Sequence, residues 1–260
     1  MKHHPIAAIA SATLISLLRN RLTTFLLSLM VLFTLLCLVI STVDAGIRFR
    51  LFENLMLSGQ ALLLYGFAWL YSFEILRREQ SELLFMLPLS SGISRSHYLV
   101  GRFIGMASTI LVLGGCFVLL DTLLILWLEK AFVWQPLMQI VITTFGAILA
   151  AAIVFCFGVI TPAFSAVIYS LLFWLIGHGL DELYLFAEQK MSVAAQITTK
   201  VFYYLLPNFS LTDLSSTALN RLPASSWDWI FPIIYSLGYS ALLLMIASLL
   251  YQRKALVGND

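Results

Sequence analysis

The chain has 260 residues, of which 61% are hydrophobic and only 11% charged. Soluble domains average roughly 45–50% apolar and about 25% charged residues, so this composition excludes a soluble globular protein and makes lipid the solvent. A formal net charge of +2, scattered along the chain, excludes the dense basic surface that nucleic-acid binding requires.

At the N-terminus, Lys2 precedes a mildly apolar stretch over residues 6–18. It ends in Arg19-Asn20-Arg21 rather than a small-residue cleavage site, and a longer apolar run follows at once, so it reads as retained rather than as a secretory leader. Pro5 suits a first helical turn. Residues 5–20 are expected to form an interfacial helix anchored by Arg19 and Arg21.

Crossing a hydrocarbon core of roughly 30 Å takes about 20 apolar residues in a helix. Six runs approach that length: residues 22–43, 55–76, 103–128, 137–160, 163–180 and 229–251. The fourth and fifth are separated only by Thr161-Pro162. Proline lacks a backbone donor and disfavours helix in the residue before it, which predicts a tight helical hairpin or one long kinked element; residues 137–180 are about twice a single span, which favours the hairpin. Between the fifth and sixth runs lies a more polar stretch, residues 181–228, within which residues 193–206 mix Gln196, Thr198, Thr199 and Lys200 with Val201, Phe202, Tyr203 and Tyr204. That pattern predicts an interfacial or re-entrant helix. The fold class is therefore all-α: one polytopic membrane domain over residues 1–260, with six transmembrane helices, the N-terminal interfacial helix and a short cytoplasmic helix described next.

Six spans put both termini on one side. That side collects Lys2, Arg19, Arg21, Arg77, Arg78, Arg95, Arg102, Arg253 and Lys254, whereas the basic residues of the other side share their loops with many acidic ones. Positive loops stay cytoplasmic, so both termini are expected in the cytoplasm.

The connection between the second and third runs is the most informative segment. It reads Glu74-Ile75-Leu76-Arg77-Arg78-Glu79-Gln80-Ser81-Glu82-Leu83-Leu84-Phe85-Met86-Leu87-Pro88 and continues through Arg95 to Gly101-Arg102. Ser81 can cap a short helix with Glu82 in its first turn, and residues 83–87 make an apolar knob stopped by Pro88. Such a knob is costly to expose and is covered either by lipid or by another protein.

An acidic residue closing the second span, a charged stretch, a glutamate followed by Leu-Leu, then Leu-Pro, and a Gly with a basic residue opening the third span together resemble the pattern of type 2 ATP-binding-cassette exporter permeases. The Leu17-Leu18-Arg19-Asn20-Arg21 lead is similar to that family's N-terminal connecting helix. Leu205-Leu206-Pro207-Asn208-Phe209 with Asp213-Leu214 resembles a motif of the branch that includes copper-enzyme-maturation permeases. Gln80-Ser81 and Arg102 stand where the family often has Gly-Thr and Lys.

The resemblance implies a permease subunit of the bacterial inner membrane that works by alternating access. Its partners would be a separate ATPase, a second copy or a related permease, and membrane lipids. Glu79, Glu82, Leu83, Leu84, Phe85, Pro88 and Arg95 would form the coupling helix that docks on the ATPase. The sequence has no Gly-x-x-x-x-Gly-Lys-Ser/Thr phosphate cradle, so no cofactor is expected on this chain itself, and ATP and Mg would be bound by the partner.

Two residues stand out inside or beside the spans. Asp121 is a carboxylate at membrane depth, where charge is costly; it lines a translocation path, reaches outward to the surface, or bonds a neighbouring helix. His178 stands three residues before Asp181 and could share a face with it, as part of a polar path or an interfacial hydrogen bond, but two ligands do not complete a metal site. Cys37, Cys116 and Cys156 read as small core hydrophobes. Gly101 and Gly105, spaced for close helix approach, read as packing positions. The alternatives are a membrane-embedded enzyme, for which neither His-Glu-x-x-His nor Gly-x-Ser-x-Gly is present, and a secondary transporter, which would normally carry more intramembrane charge.

Overall fold

A computed structural model describes residues 5–41, 48–81, 94–129, 132–190 and 192–257. Among these the chain is helical with no strand, as a lipid-solvated backbone requires, because every amide must find its partner within its own segment. In chain order the helices are α1 (Pro5–Leu18), α2 (Arg21–Ser41), α3 (Arg48–Ser81), α4 (Arg95–Glu129), α5 (Gln135–Gly158), α6 (Ala163–His178), α7 (Leu180–Lys190), α8 (Val193–Leu205), α9 (Ser215–Leu219) and α10 (Ser226–Val257), with a 3-10 turn at Ser210–Thr212.

Five helices, α2, α3, α4, α5 and α10, are long and apolar enough to cross a membrane; α6 and α7, bent by 46° at Gly179, make a sixth if the pair counts as one span. The expected runs fall on these helices, but the ends move. The helix expected over 55–76 extends to Arg48 and Ser81, and the one expected over 103–128 begins at Arg95. Arg95 to Arg102 therefore form the first two turns of α4 rather than a loop, and the short helix expected after Ser81 falls on residues outside the described ones.

The centre of the bundle is α5. Its small residues, Gly146, Ala147, Ala150, Ala151 and Ala152, are fully or nearly fully buried, and this lets α3, α4, α6 and α10 all pack against it. α2 lies at the edge, antiparallel to α3: the Tyr71 hydroxyl donates to Thr23 Oγ1 at 2.9 Å at one level, and Phe33 meets Gly59 at another. Cys37 is buried beside Phe52 and Met56, and Cys156 is buried in the main core, which suits their reading as small hydrophobes.

α1 packs along the start of α4. A Cβ on Gly101 would lie 2.9 Å from Ile9 Cβ, and one on Gly105 would lie 2.5 Å from the Ala10 carbonyl oxygen. Only glycine allows this approach, so α1 is held by the bundle as well as by its buried Thr13 and Leu17. The Thr23 hydroxyl donates to the Leu17 carbonyl across the turn into α2.

The α5–α6 hairpin predicted at Thr161-Pro162 is present, and Gln80 at the end of α3 holds it. Gln80 Nε2 donates to the carbonyls of Gly158 (3.3 Å) and Thr161 (3.1 Å), and its Oε1 accepts the Ala163 N–H at 2.9 Å. Helix ends in lipid must find such partners. This places one end of the bundle at Gln80. The other end is marked by Gly177 and His178, where α6 finishes beside the loop that follows α8.

Candidate functional site

Two polar constellations sit at opposite ends of the bundle. Ser58 and Glu79 both lie on α3, separated by about 30 Å at 1.5 Å per residue, so the ends are a membrane thickness apart.

The first is a cleft of about 240 Å³ between α3, α5, α6 and the segment after α8. Its floor is a set of buried polar side chains that lock this segment in place. Gln139, 4% exposed, donates from Nε2 to the Thr212 carbonyl and to Thr143 Oγ1, both at 3.1 Å, and accepts the Leu214 N–H at 3.0 Å. The Tyr65 hydroxyl lies 3.1 Å from Thr212 Oγ1. Phe209 is fully buried, and its N–H donates to the Gly177 carbonyl at 3.1 Å. Asn208 and Ser210 both donate to Asp181, at 2.9 and 2.5 Å, and the Asn208 N–H donates to the Tyr235 oxygen at 2.8 Å. The segment 206–214, which opens with the Leu-Pro-Asn-Phe stretch singled out in the sequence, is thus a plug bolted to α3, α5, α6, α7 and α10.

His178 and Trp174 form one wall of the cleft. Their rings are 4.5 Å apart, and His178 stacks on Phe209 at 5.9 Å. His178 Nδ1 lies 2.9 Å from the Trp174 carbonyl oxygen. A carbonyl only accepts, so Nδ1 carries a proton and donates this bond. Asp181 is occupied by Asn208 and Ser210 and does not pair with His178. Among the described residues no group of three metal-ligating side chains occurs.

Asp121 does not line this cleft. It is 5% exposed, on the other side of α3, where Gln60 Nε2 donates to its Oδ1 at 2.7 Å. Of the alternatives the sequence leaves open, outward snorkelling is excluded by this burial, and the bond to a neighbouring helix is the one observed.

The second constellation is at the Gln80 end. Glu79, 2% exposed, accepts from Arg102 Nε at 2.8 Å, and Arg102 Nη1 reaches Thr13 Oγ1 at 3.3 Å. Three helices, α3, α4 and α1, therefore meet on one guanidinium, which Tyr98 also faces with its ring 5.7 Å away. Glu79 was expected on a docking surface. It instead faces inward, because a carboxylate at this depth is stabilised only by a cation with hydrogen bonds. Glu74 makes the more exposed pairs, with Arg77 at 3.2 Å and Arg78 at 2.7 Å. Arg95 lies over the Tyr251 ring at 5.9 Å, and Gln252 donates to Ser96 Oγ at 2.6 Å, which brings the end of α10 to the same place. Glu82, Leu83, Leu84, Phe85 and Pro88 lie outside the described residues.

Sequence reasoning passed over Gln60, Gln80 and Gln139 as site residues. The signal was there: a glutamine inside or at the end of an apolar run needs a partner, and each of the three has one. The chain matches no known protein family, and no characterised protein shares significant sequence similarity with it.

Proposed function

We propose that this chain is the transmembrane permease subunit of an ATP-driven exporter of the ATP-binding-cassette type, crossing the membrane six times with both termini in the cytoplasm. The observation that carries the reading is the Glu79–Arg102 pair, which joins the last turn of α3 to the second turn of α4 on either side of the segment 82–93. α3 and α4 have 34 and 35 residues, about 50 Å each at 1.5 Å per residue, against a hydrocarbon core of roughly 30 Å. Both rods therefore carry the segment past the lipid boundary, and the ion pair makes them move together at that end.

A force applied to residues 82–93 would be passed along α3 and α4 to the cleft, whose floor is bonded to α3 through Tyr65. That is the mechanical connection an external ATPase needs. Leu83, Leu84 and Phe85 would be the docking knob, and α1 a strut lying at the membrane surface against the base of α4. Two such chains, or this chain and a related one, would enclose the path, with ATP and Mg held by the ATPase.

The experiment is co-purification of the complex after Leu83, Leu84 and Phe85 are all replaced by Asp. The ATPase is expected to be lost while the permease stays monodisperse. An ATPase that still co-purifies and is still stimulated by the variant overturns the reading.

A further inference from the structure

We propose that the cleft at the plug end is a binding site for an organic ammonium head group, such as that of an amino alcohol or a cationic amphiphile. The site does not depend on how the chain is energised.

The class follows from what the cleft offers once its internal bonds are counted. Gln139, Thr143, Tyr65 and Thr212 are spent on one another, so they shape the floor and do not select a ligand. The lining groups that remain are the Asp213 carboxylate, His178, the indole of Trp174 and the neutral hydroxyl of Ser58. Asp213 is exposed, and its bonds to Ser215, from both N–H and hydroxyl, use Oδ1 alone; Oδ2 is left for a ligand. With His178 Nδ1 committed to the Trp174 carbonyl, Nε2 is the ring nitrogen left to meet a ligand, and a neutral ring would accept there. Trp174 is held at an angle of 59° to Tyr65 with ring centroids 5.4 Å apart, and an indole is the strongest cation–π partner among side chains.

The carboxylate and the ring face of the indole both favour a positive charge, with or without N–H groups. None of the lining residues is Lys or Arg, and among the described residues no ion pair involves Asp213 or the neighbouring Asp181. An anion would meet repulsion there, and a bare metal ion would find only two ligands, short of a site. An aromatic wall with a carboxylate at the rim offsets part of the cost of taking an ammonium group out of water. The size of such a group is suited to a cleft of about 240 Å³, and the exposed Leu62 beside the opening offers apolar surface for an attached chain.

The test uses the full chain in dodecyl maltoside with radiolabelled choline in a scintillation proximity assay. The competitor is the neutral isostere 3,3-dimethylbutan-1-ol, which has the same shape without the charge. Saturable choline binding is expected, with the isostere competing at least about tenfold more weakly than unlabelled choline and Asp213→Asn weakening binding about tenfold. Asn keeps the acceptor for the Ser215 N–H, so the plug should stay folded, and size-exclusion behaviour checks this. Trp174→Phe retains the ring packing and is expected to weaken binding severalfold. Absence of saturable binding, equal competition by the neutral isostere, or binding unchanged in both variants overturns the proposal. The assay contains no ATPase, so its failure leaves the exporter reading standing, and success here does not rescue that reading if the docking experiment fails.

Discussion

Arg102 is 18% exposed and Glu79 2%, so both charges are largely withdrawn from water and Glu79 almost wholly. Breaking such a pair from one side leaves an uncompensated charge and costs about 3–5 kcal/mol, whereas replacing both partners by apolar residues is close to neutral. Glu79→Leu is therefore expected to lower the unfolding midpoint in a detergent titration sharply, and Glu79→Leu with Arg102→Met to recover most of it. If the double variant is no better than the single one, the pair is not what holds α3 to α4. At this scale the sequence showed which residues were unusual and not whom they met. Glu79, Asp121 and His178 all drew notice, but partners such as Arg102, 23 positions from Glu79, and Gln60, 61 positions from Asp121, depend on which helices are neighbours. One chain's composition does not encode that choice, because apolar faces of lipid-bathed helices look alike.

The helices themselves were largely legible, and their ends were not. Hydrophobic run length reports where lipid is the solvent, whereas helix continues wherever the backbone can bond to itself, so α3 runs on through Arg77, Arg78 and Glu79 and α4 starts at Arg95. The role of α1 was also only half legible: Gly101 and Gly105 announced a close approach, and the structure supplies the partner. This gives a prediction with opposite signs at two glycines of one helix. Alanine normally stabilises a helix interior by about 1 kcal/mol relative to glycine. At Gly115 the added Cβ meets nothing within 4 Å, so Gly115→Ala should be neutral or stabilising. At Gly105 it would lie 2.5 Å from the Ala10 carbonyl oxygen and 2.6 Å from Thr13 Cβ, so Gly105→Ala should destabilise and loosen α1. Thermal unfolding gives the signs. Limited proteolysis reads the second effect, as faster cleavage within Pro5–Leu18 for Gly105→Ala alone. Equal behaviour of the two variants would mean that α1 is not packed on α4 as described.

For the whole molecule, the number of crossings fixes where the functional ends face. α6 has 16 residues, about 24 Å at 1.5 Å per residue, short of a full hydrocarbon core. Yet its first N–H is bonded to Gln80 and its last turn to the plug through Gly177, so it runs from one end of the bundle to the other. Counted with α2, α3, α4, α5 and α10, it would complete the six crossings proposed above, and the Gln252–Ser96 bond brings the end of α10 back to the Arg102 end. Arg19, Arg21, Arg77, Arg78 and Arg95 gather there, whereas Asp181, Asp213 and Asp228 belong to the plug end. Basic residues near span ends stay cytoplasmic, so the cleft should open to the outside and residues 82–93 to the cytoplasm. In a background without Cys37, Cys116 and Cys156, a cysteine at Ser225 should react with a membrane-impermeant maleimide on intact cells. One at His97 should react only after permeabilisation. Labelling of the His97 position from outside would reverse the molecule, and it would remove the proposed docking segment from the compartment where an ATPase has ATP.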